Sequence, residues 1–172
     1  TFYPCDAMNV IQILSLLVVL AGCAASAPRW HHVGGSAWLM SGDLWQPDTT
    51  GGATMLVSEK RYSDFYLAVE FRPDAQVNSG VFFRCQDPAE LTPFNCYEAN
   101  IWDNHPVQAF RTGAVVEVFS PPLAHVETVD RWNTCEITAV GRAITIKVNG
   151  VTTASFDDDR HAEGYIALQW AG

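Results

Sequence analysis

Hydrophobic residues in this chain recur with a period of two, segment after segment, and that alternation confines it to β-structure. In FYLAVEFR, Phe65, Leu67, Val69 and Phe71 alternate with Tyr66, Ala68, Glu70 and Arg72. Comparable segments are AWLMSG, ATMLVSE, GVFFRC, YEANIW, AVVEVFS, NTCEITAV, AITIKVNG, VTTASF and YIALQW. Gly, Pro, Asn and Asp punctuate the gaps, and windows with a helical period are nearly absent. The pattern predicts an all-β chain, a two-sheet antiparallel jelly-roll sandwich. Shared parity predicts that Val69, Phe71, Val81, Phe83, Ile101, Ile137, Ile146, Val148, Ile166 and Leu168 lie between the sheets. KVNGVTT is the clearest hairpin, because Asn149 and Gly150 both tolerate the positive φ of a tight turn.

With 172 residues, 48% of them hydrophobic, the chain can bury the core of one domain. Its net charge of -9, from 10 Lys and Arg against 19 Asp and Glu, excludes a phosphate-neutralising face and with it nucleic acid as a partner.

The N-terminal stretch reads differently. Residues 1–7 precede Met8 and look like upstream read-through, and residues 8–23 have the architecture of an export signal. An apolar run from Val10 to Leu20 leads into LAGC, which resembles the bacterial lipobox and makes Cys23 the expected lipidation site. The expectation is a protein exported to the bacterial cell envelope and held at a membrane only by its lipid, with one jelly-roll domain over 24–172.

Cysteine placement fits such a compartment. Cys85 closes one strand and Cys96 opens the next, so the two flank QDPAELTPFN and are expected to form a disulfide. Cys135, within an alternating strand, reads as a buried free thiol. No CxxC pair or Cys/His cluster identifies a metal site.

The stretch YEANIWD carries the chemistry. Tyr97, Ala99 and Ile101 suit a core, whereas Glu98, Asn100 and Trp102 share the opposite face as carboxylate, amide and indole. If the strands are neighbours, Glu70, Arg72, Arg84, Glu98, Asn100 and Gln169 converge on one face of one sheet. His105 follows Glu98 and Asp103 at the end of their strand. His31, His32, His125 and the run FDDDRHAEG, which contains His161, read as solvated.

The ordered blocks YSDFYLAVEFR, NSGVFFR, YEANIWDN, RTGAVVEV, DRWNTCEITAVGRAITIKVNGV and GYIALQ resemble the 3-keto-disaccharide hydrolase domain family over about residues 30–172. That resemblance implies a concanavalin-like jelly roll acting on glycosides oxidised at carbon 3. The family's domain runs one strand further than Gln169, so the chain is expected to stop short of it. A 3-keto group acidifies the carbon 2 hydrogen and lets the substituent on carbon 1 leave by elimination, with hydration to follow. Such a site needs a base, a stabiliser for the enediolate and an acid for the leaving oxygen. The resemblance implies Glu98 as base or metal ligand, Asp103 or His105 as acid, and Arg84 and Asn78 as enolate or hydroxyl contacts. Glu70, Arg72, Asn100, Trp102 and Gln169 complete the expected substrate contacts. A divalent metal would suit the enediolate, but no spaced ligand set identifies one. Two other classes fit the same fold: a carbohydrate-binding module stacking sugars on Trp102, Tyr97 or Trp170, and an ordinary jelly-roll glycosidase with paired carboxylates.

Overall fold

The computed structural model describes residues 12–19, 29–42, 44–116 and 122–172, the first of these by backbone only. Among the described residues the strands are β1 (Gln12–Val19), β2 (Trp30–Gly34), β3 (Trp38–Ser41), β4 (Leu44–Pro47), β5 (Thr54–Ser58), β6 (Phe65–Arg72), β7 (Ser79–Cys85), β8 (Tyr97–Ile101), β9 (Asn133–Val140), β10 (Ala143–Val148), β11 (Val151–Asp157) and β12 (Tyr165–Trp170). The helical content described is one 3-10 turn at Gln108–Phe110.

Two antiparallel sheets form the jelly roll. One runs β11-β10-β9-β6-β1-β4-β3 and the other β2-β5-β12-β7-β8. Strands β6, β9 and β12 have the bounds that alternation predicts. All ten residues assigned to the inter-sheet core lie in one buried apolar cluster. The β10–β11 hairpin turns at Asn149 and Gly150, with φ of 52° and 77°. The expected strand AVVEVFS is not formed over its described part, where Val115 makes an isolated bridge to Ala99 and residues 117–120 lie outside the described residues.

The stretch read as an export signal carries a strand that pairs with β6 over Gln12–Val19 and with β4 at Ile13 and Leu14. Cys23 lies outside the described residues.

Candidate functional site

The outer face of the five-stranded sheet is organised in cross-strand rows. One row runs Val33, Met55, Gln169, Gly80, Asn100, and the adjacent row runs His31, Val57, Ala167, Phe82, Glu98. Register therefore places Glu98 and Asn100 at one edge of the face, and His31 and Val33 at the other with Val57 and Met55 beside them.

Above this face lies the loop between β7 and β8. Cys85 and Cys96 are bonded, with their α-carbons 4.2 Å apart and 11 positions of separation in the chain. Closing a loop of this size restricts the unfolded chain enough to stabilise the fold by about 3 kcal/mol. The two cysteines, Phe82, Val57 and Ala167 form a small second core on the outer face, with Leu91 from the loop packed against it. The loop is thus held down as a wall, and a cavity of about 270 Å³ opens between it and β8.

Six of the sequence-derived candidates line that cavity: Asn78, Glu98, Asn100, Trp102, His105 and Gln169. Glu98 is its chemical centre. Its side chain is buried, and among the described residues its carboxylate has no hydrogen-bond or ion-pair partner. Burial disfavours the charged form and pushes its pKa up from 4.5 to about 8. Gly80 makes room for it: a β-carbon there would stand 2.9 Å from Glu98 Oε1, so any other residue would displace the carboxylate.

The neighbours are oriented rather than free. Asn100 donates through Nδ2 to the Phe110 carbonyl, and its buried Oδ1 has no partner among the described residues. Gln169 Oε1 is likewise buried and unpartnered among the described residues. His105 holds Nδ1 against the Val107 backbone, 2.8 Å from its oxygen and 2.9 Å from its nitrogen. Its ring stands edge-on to Trp102 at 4.4 Å and to Phe110 at 5.7 Å, which fixes its plane and leaves Nε2 as the nitrogen able to meet a ligand.

Four candidates are not brought here, each for a definable reason. Arg84 follows a register irregularity: Cys85 faces Tyr165 and Phe82 faces Ala167, so β7 carries one extra residue, and Arg84 takes φ of 51°. That bulge swings its fully buried guanidinium to the carbonyls of Ser63, Gly141 and His161, with Asp64 at 3.7 Å. Arg84 therefore ties together three loops. Replacing it by Met leaves those carbonyls without their donor and is expected to cost about 3 kcal/mol or more in urea unfolding. Turnover per folded molecule should be unchanged; loss of turnover at full stability would return Arg84 to the site.

Asp103 is buried as a loop anchor, accepting from Thr128 N at 2.6 Å, Thr128 Oγ1 at 2.8 Å and Val129 N at 3.3 Å. Glu70 and Arg72 belong to β6 of the other sheet and alternate with its core residues. They face away from the sandwich, whose thickness of about 10 Å separates them from Glu98. The acidic run near His161 is also more structural than its composition implied: Asp158 accepts from Tyr97 OH at 2.5 Å, and the Arg160 guanidinium sits 4.9 Å from that ring.

The wall residues Leu91, Thr92 and Pro93, with Phe82 and Val116, were missed from sequence. The one available signal was the cysteine clasp, which marks a loop held to the sheet without saying which face it covers. Among the described residues no group of three or more His, Cys, Asp and Glu side chains converges as a metal site.

A family profile, the 3-keto-alpha-glucoside-1,2-lyase-like domain, matches residues 25–172. Solved structures of similar fold include a protein of Parabacteroides distasonis assigned as a glycosyl hydrolase, 22% identical with a TM-score of 0.58, covering 70% of this chain and 79% of that one. A second such protein of Parabacteroides distasonis is 17% identical with a TM-score of 0.60, covering 70% and 74%. The carbohydrate-binding module CBM66 of Bacillus subtilis is 19% identical with a TM-score of 0.62, covering 83% and 88%. At these identities the likeness establishes the fold. No curated protein matches the chain.

Proposed function

The chain belongs to the 3-keto-alpha-glucoside-1,2-lyase-like domain family, and from that premise we propose that it cleaves 3-keto glycosides by elimination across carbons 1 and 2. Family membership makes it a glycosidase-like or carbohydrate-binding jelly roll. The observation that favours catalysis is Glu98, a buried carboxylate with no partner among the described residues, lining an open cavity. A surface built only to hold sugar has no use for a carboxyl kept protonated near neutral pH, whereas proton transfer does.

In this reading the ionised Glu98 takes the carbon 2 proton, and the C–H electron pair moves into a carbon 2–carbon 3 bond as charge develops on the carbon 3 oxygen. The pair then returns to form the carbon 1–carbon 2 double bond as the carbon 1–oxygen bond breaks. His105 Nε2, when it carries hydrogen, is the group that can protonate the departing oxygen. The acceptor atoms Asn100 Oδ1 and Gln169 Oε1 suit sugar hydroxyls and orient the ring. Addition of water across the new double bond completes the hydrolysis.

Purified protein given a 3-keto glucoside and its unoxidised parent, with and without chelator, tests this. The expected result is release of aglycone from the keto substrate alone. Equal cleavage of the parent would make it an ordinary glycosidase, and binding without cleavage would make it a binding module.

Export with a lipid at Cys23 belongs to the same proposal. The Cys85–Cys96 bond supports an oxidising compartment. Radiolabelled palmitate should enter the protein in bacterial cells and be lost in Cys23→Ser; equal labelling of both would reject the anchor.

A further inference from the structure

A second cavity, of about 200 Å³, lies on the same outer face and shares two of its lining residues, Leu91 and Gln169, with the cavity around Glu98. The two are therefore neighbouring compartments along one cross-strand row. Asn100 stands at one end of that row, Gln169 on the middle strand and Met55 beyond it. From β8 to β5 is three inter-strand spacings, about 14 Å, enough for a ring in each compartment.

Their chemistry differs. The first holds Glu98, His105 and the amides of Asn78 and Asn100. The second is walled by Val33, Ala53, Met55, Ala89 and Leu91, and no charged side chain lines it among the described residues. Thr54, also in the wall, already donates its hydroxyl to Ser36 O at 2.6 Å. Trp170 belongs to the inter-sheet core. Two polar groups of this lining are left without partners among the described residues: Trp170 Nε1, on the core side of its strand, and Gln169 Oε1, at the boundary.

We propose that this second cavity receives the leaving group, and that its apolar walls select a flat, apolar aglycone over a second sugar. The inference rests on the 3-keto glycoside reading above. An aryl ring placed against Met55 and Leu91 trades water for apolar contact. The hydroxyls of a second pyranose there would leave water and find one amide between them. Gln169 stands at the boundary where the two parts of the substrate would join, its Oε1 able to accept from a neighbouring hydroxyl, and Leu91, held by the disulfide-clasped loop, lines both compartments.

The test compares the wild type, Met55→Trp and Met55→Gln on methyl 3-keto-glucoside, phenyl 3-keto-glucoside and a 3-keto disaccharide. Met55→Trp fills the compartment; Met55→Gln nearly keeps its volume and adds an amide, so it reports even if the larger side chain does not fold. Wild-type kcat/KM should favour the phenyl substrate over the disaccharide by about tenfold or more. Both variants should lose that preference through KM, with the methyl substrate within about twofold of wild type. A disaccharide cleaved as well as the phenyl substrate, or Met55 variants that alter the methyl and phenyl substrates equally, would overturn the proposal. If the wild type cleaves none of the three, the catalytic reading fails, and equilibrium binding of unoxidised phenyl and methyl glucosides decides this one. Tighter phenyl binding that is lost in Met55→Gln upholds it, and equal binding overturns it.

Discussion

Replacing Glu98 by Gln is expected to lower turnover of a 3-keto glucoside by about 100- to 10,000-fold, the usual contribution of a positioned acid or base. The variant keeps the shape of the side chain that Gly80 accommodates and removes the ionisation. The wild type should also carry the signature of a base titrating high. With the carboxyl near 8, kcat/KM climbs with pH, about tenfold per unit, and levels off above that value. The Gln variant should lack this limb. Stopped assays across pH 5 to 10 on both proteins check it. A variant as fast as the wild type, or a wild-type profile flat through pH 8, would make Glu98 a structural carboxyl.

The same substitution is expected to stabilise the protein, and to do so only at pH values where the unfolded chain ionises at this position. In the folded state its pKa stands near 8, above the ordinary 4.5. At pH values below 4.5 the carboxyl is protonated in both states and contributes no pH-dependent penalty. Between 4.5 and 8 the unfolded chain loses the proton while the folded protein keeps it, so stability falls as pH rises, by about 1.4 kcal/mol per unit. Above 8 both states are ionised and the penalty levels off near 5 kcal/mol. Gln has no such dependence. The gap in unfolding free energy between the variant and the wild type should therefore widen by about 4 kcal/mol from pH 4.5 to pH 8.5, read from urea curves at each pH. A constant gap would mean that Glu98 is solvated or paired in solution. Taken together, a variant that is slower and more stable identifies a carboxyl retained at a cost in stability, as expected of a working group.

Period-two alternation made much of this molecule legible before any coordinates. It established the β class, the bounds of β6, β9 and β12, and every one of the ten core positions named from parity, because which face a strand residue occupies is a local property of the backbone. It also set Glu98, Asn100 and Trp102 on one face, and the clasp of Cys85 and Cys96 followed from their positions at consecutive strand ends. Strand neighbourhood is not local. That Glu70 and Arg72 lie in the other sheet from Glu98 depends on β6 pairing with β9, whose sequence lies some sixty residues away. Asp103 became an anchor because Thr128 arrives from 25 positions further on. Arg84 left the face through a single-residue bulge, which parity assumes away and which only the pairing of β7 with β12 reveals. Likewise, no pattern within QDPAELTPFN says that it walls two compartments. Alternation says which side chains share a face, whereas a site is made by which faces, loops and bulges meet, and long-range packing decides that.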